Sequence, residues 1–431
     1  MELLLICFVL FLVLGMPIAF VVGIAGIAYF ATTPILPPQV VVMQIVNQSQ
    51  SFAFLAVPFF IFAGNLMNVS GITSRILSLA RIFTRRMYGG TAQTSIMMST
   101  LMGGVSGSAT ADAIMSTRIL GPDMMRAGYS KGYICGLNCT SALITATLPP
   151  SLGLIIFGFV GEVSIGRLFA AGIVPGFLMA GFLMTTAAIT TRYHRYEPPG
   201  KDLPKVTARE ILANLRESFW ALLFPVILIV GIRFGFFTPS ESGAFAVVYA
   251  IVIGKFVYKE LTWKKFKESL VTAVKDNGAI MLIIAMSGPF QFALTWVELP
   301  VVLSNFVFGI TENPQLLTLI MLGFLFLTGL VVDSNVNFLL LTPIFLPMIT
   351  SVGMDPVHFG VLMATIVTLG IMTPPVGAAL FAVCGVLDCK VEECVKEQIP
   401  FLIAILLLLA ILVFLPEVVL WIPNMLFGTV G

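Results

Sequence analysis

Two short polar stretches interrupt long apolar regions of the chain, and each contains a carboxylate. The first covers residues 103–112 and the second residues 329–337. Placing a carboxylate at the centre of a membrane-spanning segment costs about 3 kcal/mol on insertion scales, so such residues generally serve a function. Glycines alone would be explained by a close contact between helices, whereas Asp112 and Asp333 would not. For Asp112, capping of a helix N-terminus is an alternative role.

The hydroxyls, amides and carboxylates of these stretches could bind a small organic anion and its hydroxyl groups. Helices that restart after an interruption also present their positive N-terminal ends to an anion. No arginine lies clearly at the middle of the membrane, although Arg118, just after the first stretch, is a candidate. We therefore expect helix dipoles and a co-transported cation to balance much of the substrate charge. The candidate substrate-binding residues are Ser106, Ser108, Asp112, Ser151, Asp333, Ser334, Asn335 and Asn337.

Two pairs of consecutive prolines, at 149–150 and 374–375, follow the polar stretches. Because proline has no N–H, each pair leaves carbonyl oxygens four residues earlier without a helical partner. Unpaired carbonyls are costly in apolar surroundings, and unwound carbonyls coordinate Na⁺ in secondary transporters. The pattern predicts Na⁺ sites at these breaks, although a simple kink satisfied by hydroxyls or water is an alternative. The carbonyls concerned are those of Thr145, Ala146, Gly370 and Ile371, and the neighbouring hydroxyls are those of Thr145, Thr147 and Thr373.

Glycine, proline and threonine positions repeat with a constant offset, since 329 − 104 = 225 and 374 − 149 = 225. A double proline in register with five further matches, without a gap, indicates an internal duplication. The matching residues are Gly104, Thr117, Pro122, Gly128, Pro149, Pro150 and Pro175 in the first half, and Gly329, Thr342, Pro347, Gly353, Pro374, Pro375 and Pro400 in the second.

Composition places most of the chain in a membrane. Its 431 residues are 58% hydrophobic and 10% charged, with a mean hydropathy of +1.04, whereas soluble domains carry about 25% charged residues. The net charge of +2 gives no indication of nucleic-acid binding. The six cysteines and two histidines lack metal-ligand spacing, so we expect the cysteines to be structural. We expect a multi-pass protein of a bacterial or archaeal inner membrane.

Apolar runs and basic segments give a membrane topology. Runs of span length occur at 50–69, 132–160, 166–190, 219–236, 240–258, 278–293, 357–386 and 400–420. The run 2–30 is divided at residues 15–17, so it could be one span or two short helices. Basic residues mark the cytoplasmic side. Their segments at 75–86, 126–131, 192–216 and 255–275 share one side only if 92–121 enters the membrane and returns. The region after 293, with Glu298, Glu312 and Asp355, should be outside.

These observations predict an all-α polytopic membrane protein with inverted repeats, two re-entrant helical hairpins and two broken helices. Residues 259–277 alternate lysine with apolar residues and are expected to form an amphipathic helix on the membrane surface. The predicted layout is repeat one at 1–190 (scaffold helices, arm 72–88, hairpin 92–130, broken helix 132–160), a cytoplasmic loop at 191–218, and repeat two at 219–431 (scaffold helices, arm 295–313, hairpin 316–350, broken helix 357–386, final span 400–420).

Several motifs, in order along the chain, resemble the large (M, or DctM) membrane subunit of tripartite ATP-independent periplasmic (TRAP) transporters. The segment 235–244, Gly-Phe-Phe-Thr-Pro-Ser-Glu-Ser-Gly-Ala, is similar to the family's GxFTPTEAAA signature. Others are Gly-Met-Pro-Ile-Ala-Phe at 15–20, Val-Pro-Phe-Phe-Ile-Phe-Ala-Gly at 57–64, Ser-Gly-Ser at 106–108 and Leu-Pro-Pro-Ser at 148–151. The chain departs from the family at Ser240, Ser242 and Gly243, and at 109–112. These departures concern the substrate more than the family.

The resemblance implies an elevator-type fold, with a transport domain that holds both hairpins, and Na⁺-driven uptake of a small organic anion such as sialic acid, a C4-dicarboxylate or another sugar acid. It implies two partners, a small (Q-type) membrane subunit and a periplasmic (P-type) substrate-binding protein, and two or more Na⁺ ions. Substrate contacts would be made by Ser108 and Asp333. The implied Na⁺ ligands are Gly103, Ser106, Thr145, Leu148 and Pro149 in repeat one, and Gly329, Gly370, Thr373 and Val376 in repeat two.

Three other functions fit parts of the pattern. A stand-alone carboxylate or ion carrier with inverted repeats would need no binding protein. An intramembrane hydrolase could use Ser106 or Ser108, but a serine nucleophile needs a base, and neither histidine lies in a predicted hairpin. Nor do Asp112 and Asp333 occupy matching repeat positions, as a two-aspartate pair would. A channel is disfavoured because opposed hairpins suit alternating access.

Overall fold

The computed structural model describes residues 2–428 except 34, 36, 51–54, 199–205 and 312. These residues form α-helices and one π-helical turn, and no strand occurs among them. The start of the predicted span 50–69, the middle of the loop 191–218 and Glu312 therefore lie outside the described residues.

The first half contains ten helices among its described residues. At the N-terminus the run 2–30 forms two short helices, of 12 and 14 residues, that pack against each other. The third helix was not predicted, because its sequence mixes valine with glutamine and asparagine. The helices are α1 (Glu2–Val13), α2 (Ile18–Ala31), α3 (Gln39–Gln50), α4 (Ala56–Val69), α5 (Ile72–Thr84), α6 (Gly90–Gly103), α7 (Ala109–Arg126), α8 (Lys131–Thr147), α9 (Leu152–Val160) and α10 (Ile165–Tyr193).

The described second half contains ten more helices. They are α11 (Ala208–Arg233), α12 (Pro239–Val252) with its π-helical continuation (Ile253–Val257), α13 (Trp263–Trp296), α14 (Leu299–Phe308), α15 (Pro314–Gly329), α16 (Ser334–Ser351), α17 (Pro356–Ile371), α18 (Ala378–Leu387), α19 (Val391–Phe414) and α20 (Pro416–Phe427). Six helices in the described chain are long and apolar enough to cross a membrane, and up to eight if the bent pairs α4–α5 and α8–α9 each count as one span.

Three predicted boundaries are wrong. The loop 191–218 is shorter than expected, because α10 continues to Tyr193 and a capping box between Thr207 and Glu210 starts α11 at residue 208. Residues 259–277 do not form a separate surface helix, since α13 runs without a break for 34 residues. The run 400–420 is divided between α19, which begins at Val391, and α20, which begins at Pro416.

The helices pack in two groups. In the first group, α4 packs against α12, and α13 packs against α2, α3 and α4. In the second group, α8 lies at the centre and contacts α6, α7, α18 and α19, while α17 contacts α15 and α16. Large aromatic side chains such as Tyr133, Phe157 and Phe359 are fully buried in the second group. This group holds both predicted hairpins and both broken helices.

Candidate substrate and cation site

The tips of the two predicted hairpins meet at one small polar cavity. The first hairpin consists of α6 and α7, and the second of α15 and α16. Between their tips lies a cavity of about 50 Å³, also lined by the first helix break and by α17. Five candidate substrate-binding residues from the two halves of the sequence line it, namely Ser108, Ser151, Asp333, Ser334 and Asn335.

A larger cavity of about 510 Å³ adjoins the same tips. Ser106, Ser108, Asp333 and Asn335 line one side of it, and three of these, Ser108, Asp333 and Asn335, are among the six residues that line both cavities. Its other side is formed by the first group of helices, including α4 and α13. A small molecule in this space would therefore contact both hairpin tips and the opposing group of helices.

The first tip is shaped by Gly107 and Ser108. Gly107 has a positive φ of 63°, and a Cβ atom there would lie 2.7 Å from the Pro150 carbonyl oxygen, so only glycine fits. Ser108 is the N-cap of α7 and its Oγ accepts a hydrogen bond from the Ala111 N–H (3.4 Å). The tip therefore turns sharply against the first double proline and presents a helix N-terminus towards the cavity.

The second tip is capped by a carboxylate. Asp333 occupies the N-cap of α16, where Oδ1 accepts a hydrogen bond from the Asn335 N–H (2.9 Å), and its side chain remains exposed beside the cavity. Asn337, one turn further, is buried and donates through Nδ2 to the carbonyls of Val332 (3.0 Å) and Asp333 (3.3 Å). Asn337 thus holds the tip in shape and does not line either cavity.

Asp112 also lies away from both cavities, although it was predicted to contact substrate. It is fully buried, and its Oδ2 accepts a hydrogen bond from the Thr145 hydroxyl (2.9 Å). It is not the N-cap of α7, a position that Ser108 occupies. Four residues are about one helical turn, so Asp112 lies about 5.4 Å further along α7 than the N-cap, at a level where α6 and α8 pack against the helix.

Both broken helices contact the hairpin tip of their own repeat, and the donor residues are equivalent in the two repeats. The Leu152 N–H donates to the Gly107 carbonyl, and the Gly377 N–H donates to the Leu330 carbonyl, both at 3.3 Å. Leu152 and Gly377 are repeat partners, because 377 − 152 = 225. The helices bend by 45° between α8 and α9, and both double prolines contain a cis peptide bond.

Some of the residues implied as Na⁺ ligands are in contact within each repeat, whereas Val376 is exposed. In repeat one, a Cβ on Gly103 would lie 2.7 Å from the Leu148 Cβ, and the nearby Ser106 Oγ is buried without a hydrogen-bond partner. In repeat two, Gly329 and Gly370 are in backbone contact, since a Cβ on Gly370 would lie 2.5 Å from the Gly329 carbonyl carbon.

Two of the four carbonyls that we expected the prolines to leave unpaired have donors. The Ser151 hydroxyl donates to the Ala146 carbonyl (2.5 Å), and the Thr373 N–H donates to the Gly370 carbonyl (3.0 Å). Of the hydroxyls predicted beside the sites, those of Thr147 and Thr373 donate to carbonyls of their own helix, Leu143 and Leu369. The Thr145 hydroxyl instead donates to Asp112 on α7. Residues after each break therefore donate hydrogen bonds back to the preceding helix. The prediction from proline positions considered only the helical N–H donors that are lost and did not include these replacements.

Several cavity residues were missed by the sequence reasoning. Asn65, Asn68 and Asp276 line the larger cavity, and the Asn65 Nδ2 donates to Asp276 Oδ2 (3.3 Å). The sequence could have indicated these residues, because polar side chains within apolar membrane helices generally face a cavity or the protein interior. Neither histidine lines either cavity. His194 pairs with Glu397, and His358 contacts the Leu412 carbonyl, so no histidine is placed to activate Ser106 or Ser108.

Comparisons with known proteins agree with this architecture. The family described as the DctM component of tripartite ATP-independent periplasmic transporters matches residues 5–418. The sialic acid TRAP transporter large permease of Vibrio cholerae is 34% identical, over 96% of each chain. The 2,3-diketo-L-gulonate TRAP large permease of Escherichia coli is 32% identical (94% of this chain, 95% of that one), and the C4-dicarboxylate TRAP large permease of Pseudomonas aeruginosa is 31% identical (89% and 88%).

Among solved structures, the YdaH transporter of Alcanivorax borkumensis has a similar fold, with a TM-score of 0.66 at 14% identity over 95% of this chain and 97% of that one. The family match and the relatives above 30% identity extend over nearly the whole chain. This chain therefore belongs to the DctM family and is the large permease subunit of a TRAP transporter, a multi-pass protein of the inner membrane and not an enzyme.

Proposed function

We propose that this permease takes up a small organic acid by Na⁺-coupled alternating access of the elevator type. The proposal is carried by one observation: both hairpin tips and the first helix break line a small polar cavity and the larger cavity that adjoins it, and the larger one borders the opposing helix group. Two similar gates around one site are what a carrier needs to open alternately to two sides. The group built around α8 and α17 would move, and the group built around α4, α12 and α13 would stay fixed.

The site favours an acid that carries hydroxyl groups. Ser108, Ser334 and Asn335 offer donors to a carboxylate, and the N-terminal ends of α7 and α16 add positive dipoles. Asp333 is an acceptor that would repel a carboxylate but would bind a hydroxyl or amide N–H. Relatives named for sialic acid and 2,3-diketo-L-gulonate transport suit this pattern better than the relative named for C4-dicarboxylates.

Sodium fits the two helix breaks. The orphaned Ser106 hydroxyl lies among the implied ligands of repeat one, and the backbone contact between Gly329 and Gly370 brings the second tip against α17. Oxygen atoms without donors in a buried setting suit a hard cation. Bound Na⁺ would supply the positive charge that offsets the carboxylate of the substrate. The chain's own oxygens would hold the ion, and the tip hydroxyls would orient the acid beside it.

Partners complete the proposed system. The matching family is one component of a tripartite transporter, so we propose a small Q-type membrane subunit and a P-type periplasmic binding protein that delivers the substrate. The exposed apolar surface of α11, with Leu212, Phe219 and Val226, would lie against lipid or the small subunit. A stand-alone carrier is the competing proposal, and it would work without the binding protein.

The test is uptake into proteoliposomes that contain the chain and its co-purified small subunit. Radiolabelled sialic acid, 2,3-diketo-L-gulonate and succinate are offered with and without a Na⁺ gradient and the binding protein. We expect uptake of one sugar acid that requires both. Asp333→Ala and Ser108→Ala should abolish it, while the melting temperature falls only by the small amount that loss of one N-cap explains. Uptake indifferent to Na⁺ would refute coupling, and uptake without binding protein would favour the stand-alone carrier.

A further inference from the structure

Five of the six cysteines lie close together at one end of the second helix group. They belong to α8 (Cys135 and Cys139), α18 (Cys384), α19 (Cys394) and the turn between α18 and α19 (Cys389). Four of them are at most 3% exposed and pack in one small core cluster, against which Cys389 packs from the surface. All are free thiols. The fold therefore collects most of the sulfhydryl groups of the chain in one place.

The thiol of Cys384 is the central member of this cluster. It lies within hydrogen-bonding reach of the thiols of Cys135, Cys389 and Cys394. The helices approach this closely because α8 presents glycine to α19: a Cβ on Gly136 would lie 3.1 Å from the Cys394 carbonyl oxygen. Buried thiols pack as small hydrophobic groups, which explains the four enclosed cysteines. It does not explain Cys389, whose thiol is partly exposed and touches a buried thiol at the same time.

Cys384 and Cys389 face each other across the turn that ends α18. Asp388 has a positive φ of 51°, and the Cys389 N–H donates to the Cys384 carbonyl (3.0 Å). This is the backbone bond of a Schellman turn, in which the side chains of the two bonded residues commonly touch. The bond also keeps the two Cα atoms within about 7 Å, close to the range of about 4.4–6.8 Å that a disulfide requires. Closing a disulfide here needs mainly side-chain rotation.

The turn lies at the predicted cytoplasmic surface. Lys131 Nζ donates to the Asp388 carbonyl (3.3 Å), and the basic segment 126–131 marks the cytoplasmic side. The Cys389 thiol itself donates only to the adjoining Lys390 carbonyl (3.4 Å). Cytoplasmic thiols are kept reduced, so a disulfide at this turn would form under oxidation and be reversible. An accessible thiol beside a second thiol that can react with its oxidised form is typical of redox-sensor cysteines.

We propose that Cys389 and Cys384 form a hydroperoxide-sensitive thiol pair at the cytoplasmic surface of this permease. A hydroperoxide ROOH transfers one oxygen atom to the Cys389 sulfur, which becomes a sulfenic acid, and the alcohol ROH leaves. The Cys384 thiol then attacks the sulfenic sulfur, so that the disulfide forms and water leaves. The two sulfurs lose two electrons, which reduce the O–O bond, and a dithiol reductant restores both cysteines.

The disulfide would act on α18, which begins at the second helix break. At that end the Gly377 N–H donates to the Leu330 carbonyl of the second hairpin tip (3.3 Å). At the other end, a bond to Cys389 draws the Cys384 sulfur away from that of Cys135, so the packing of α18 against α8 changes. The inference concerns thiols of this chain and does not depend on the proposed Na⁺ coupling.

The rate of the reaction should depend on pH. Burial is the main cause of a raised pKa at the Cys389 thiol, and Cys384 and Glu393 act in the same direction. Lys131 and the Cys135 thiol act against it. Since the thiolate is the nucleophile, the rate should increase about tenfold per pH unit below this pKa and become constant above it. The pair should therefore react slowly at pH 7 and faster at pH 8.5.

Disulfide mapping on the full chain tests the proposal. Inverted membrane vesicles that contain the chain are treated with hydrogen peroxide at pH 7 and pH 8.5. Remaining thiols are blocked with N-ethylmaleimide after denaturation, and the peptides are analysed by mass spectrometry. We expect a disulfide between Cys384 and Cys389, the loss of two of the six thiols, and full recovery with dithiothreitol. The wild-type map alone decides the pair, so the result does not depend on the folding of a variant.

Three variants separate the steps. Cys384→Ser lacks the second thiol, so the sulfenic acid of Cys389 should accumulate and be trapped by a 1,3-dione reagent, whereas Cys389→Ser should keep all its thiols. Cys7→Ser is the matched control, because Cys7 is also partly buried but lies outside the cluster, and it should oxidise as the wild type does. Wild type that keeps six thiols, that pairs Cys389 with Cys135, or that loses thiols as Cys389→Ser does, overturns the proposal.

Discussion

The contact between the second hairpin tip and α17 allows a sharp test with two glycines of one helix. Gly329 and Gly323 both lie on α15. A Cβ on Gly329 would lie 2.8 Å from the Val367 carbonyl oxygen and 3.3 Å from the Gly370 Cα, whereas a Cβ on Gly323 would meet nothing within 4 Å. Gly329→Ala keeps every carbonyl of the proposed Na⁺ site but forces the tip away from α17.

The expected magnitude follows from overpacking. Inserting a methyl group into a tight contact costs about 1–3 kcal/mol, and the higher helix propensity of alanine offsets up to about 1 kcal/mol. A net cost of about 1–2 kcal/mol corresponds to roughly a 5- to 30-fold change in an equilibrium constant. We expect the Na⁺ concentration for half-maximal uptake to rise by that factor in Gly329→Ala and to stay unchanged in Gly323→Ala.

The assay is proteoliposome uptake as a function of Na⁺, accompanied by melting temperatures with and without Na⁺. The double variant Gly329→Ala/Gly370→Ala should cost less than the sum of the single variants, because both methyl groups press on one contact. The reasoning is refuted if Gly329→Ala and Gly323→Ala show the same Na⁺ dependence. It is equally refuted if Gly329→Ala has a lower melting temperature than the wild type but the same Na⁺ dependence of uptake.

Three further predictions concern other parts of the chain. Asn337→Ala removes two hydrogen bonds to the second tip. It should weaken substrate affinity by about 1–3 kcal/mol, measured as the Michaelis constant for uptake, and Asn337→Asp should not restore it, because a carboxylate cannot donate these bonds. Burial and the nearby Glu197 raise the pKa of the Tyr129 phenol, so it remains a donor to Glu197 (3.2 Å). Tyr129→Phe should therefore lower stability by about 1 kcal/mol equally at pH 7 and pH 9, measured by thermal unfolding. Cys389 is partly exposed beside the predicted cytoplasmic segment 126–131, so an impermeant maleimide should label it in inverted vesicles but not in right-side-out vesicles, with Cys389→Ser as the control.

The interruptions were predictable because they depend on local chemistry. Each proline removes one helical hydrogen bond. Single prolines such as Pro175 and Pro225 remain inside continuous helices, whereas the breaks after Thr147 and Ile371 lie where the double prolines place them. The same holds for the hairpin turns, which follow glycines at 103–104 and 329. The helix breaks and hairpin turns depend on a few neighbouring residues. The constant offset between the repeats therefore also identified their equivalent positions in the two halves.

Boundaries that depend on length and packing were not predictable in the same way. The segment 259–277 has the lysine pattern of a surface helix, yet α13 continues through it to a length of 34 residues. At 1.5 Å per residue such a helix is about 51 Å long and exceeds a hydrocarbon core of about 30 Å. Its lysine-rich start therefore extends beyond the apolar layer, and the pattern marks the end of a span instead of a separate element.

The roles of the two aspartates required the structure. Both lie in a polar interruption, and the sequence suggested helix capping for Asp112 and substrate contact for both. In the structure Asp333 is the cap and faces the cavity, while Asp112 is enclosed by three helices. One helical turn separates a position at the end of a hairpin from one in its packed interior. The sequence alone does not show which side chains surround each position.

The repeat offset explains why this distribution suits a carrier of acids. Ser108 and Asp333 are partners (333 − 108 = 225), and both are N-caps of the second limb of their hairpin. Asp112 and Asn337 are partners one turn further. Each repeat therefore keeps one carboxylate but at a different level, at the tip in repeat two and in the interior in repeat one. Two tip carboxylates would repel an anionic substrate from both sides. With one at each level, the tip carboxylate can accept hydrogen bonds from substrate hydroxyls, and the buried one stays apart from the substrate.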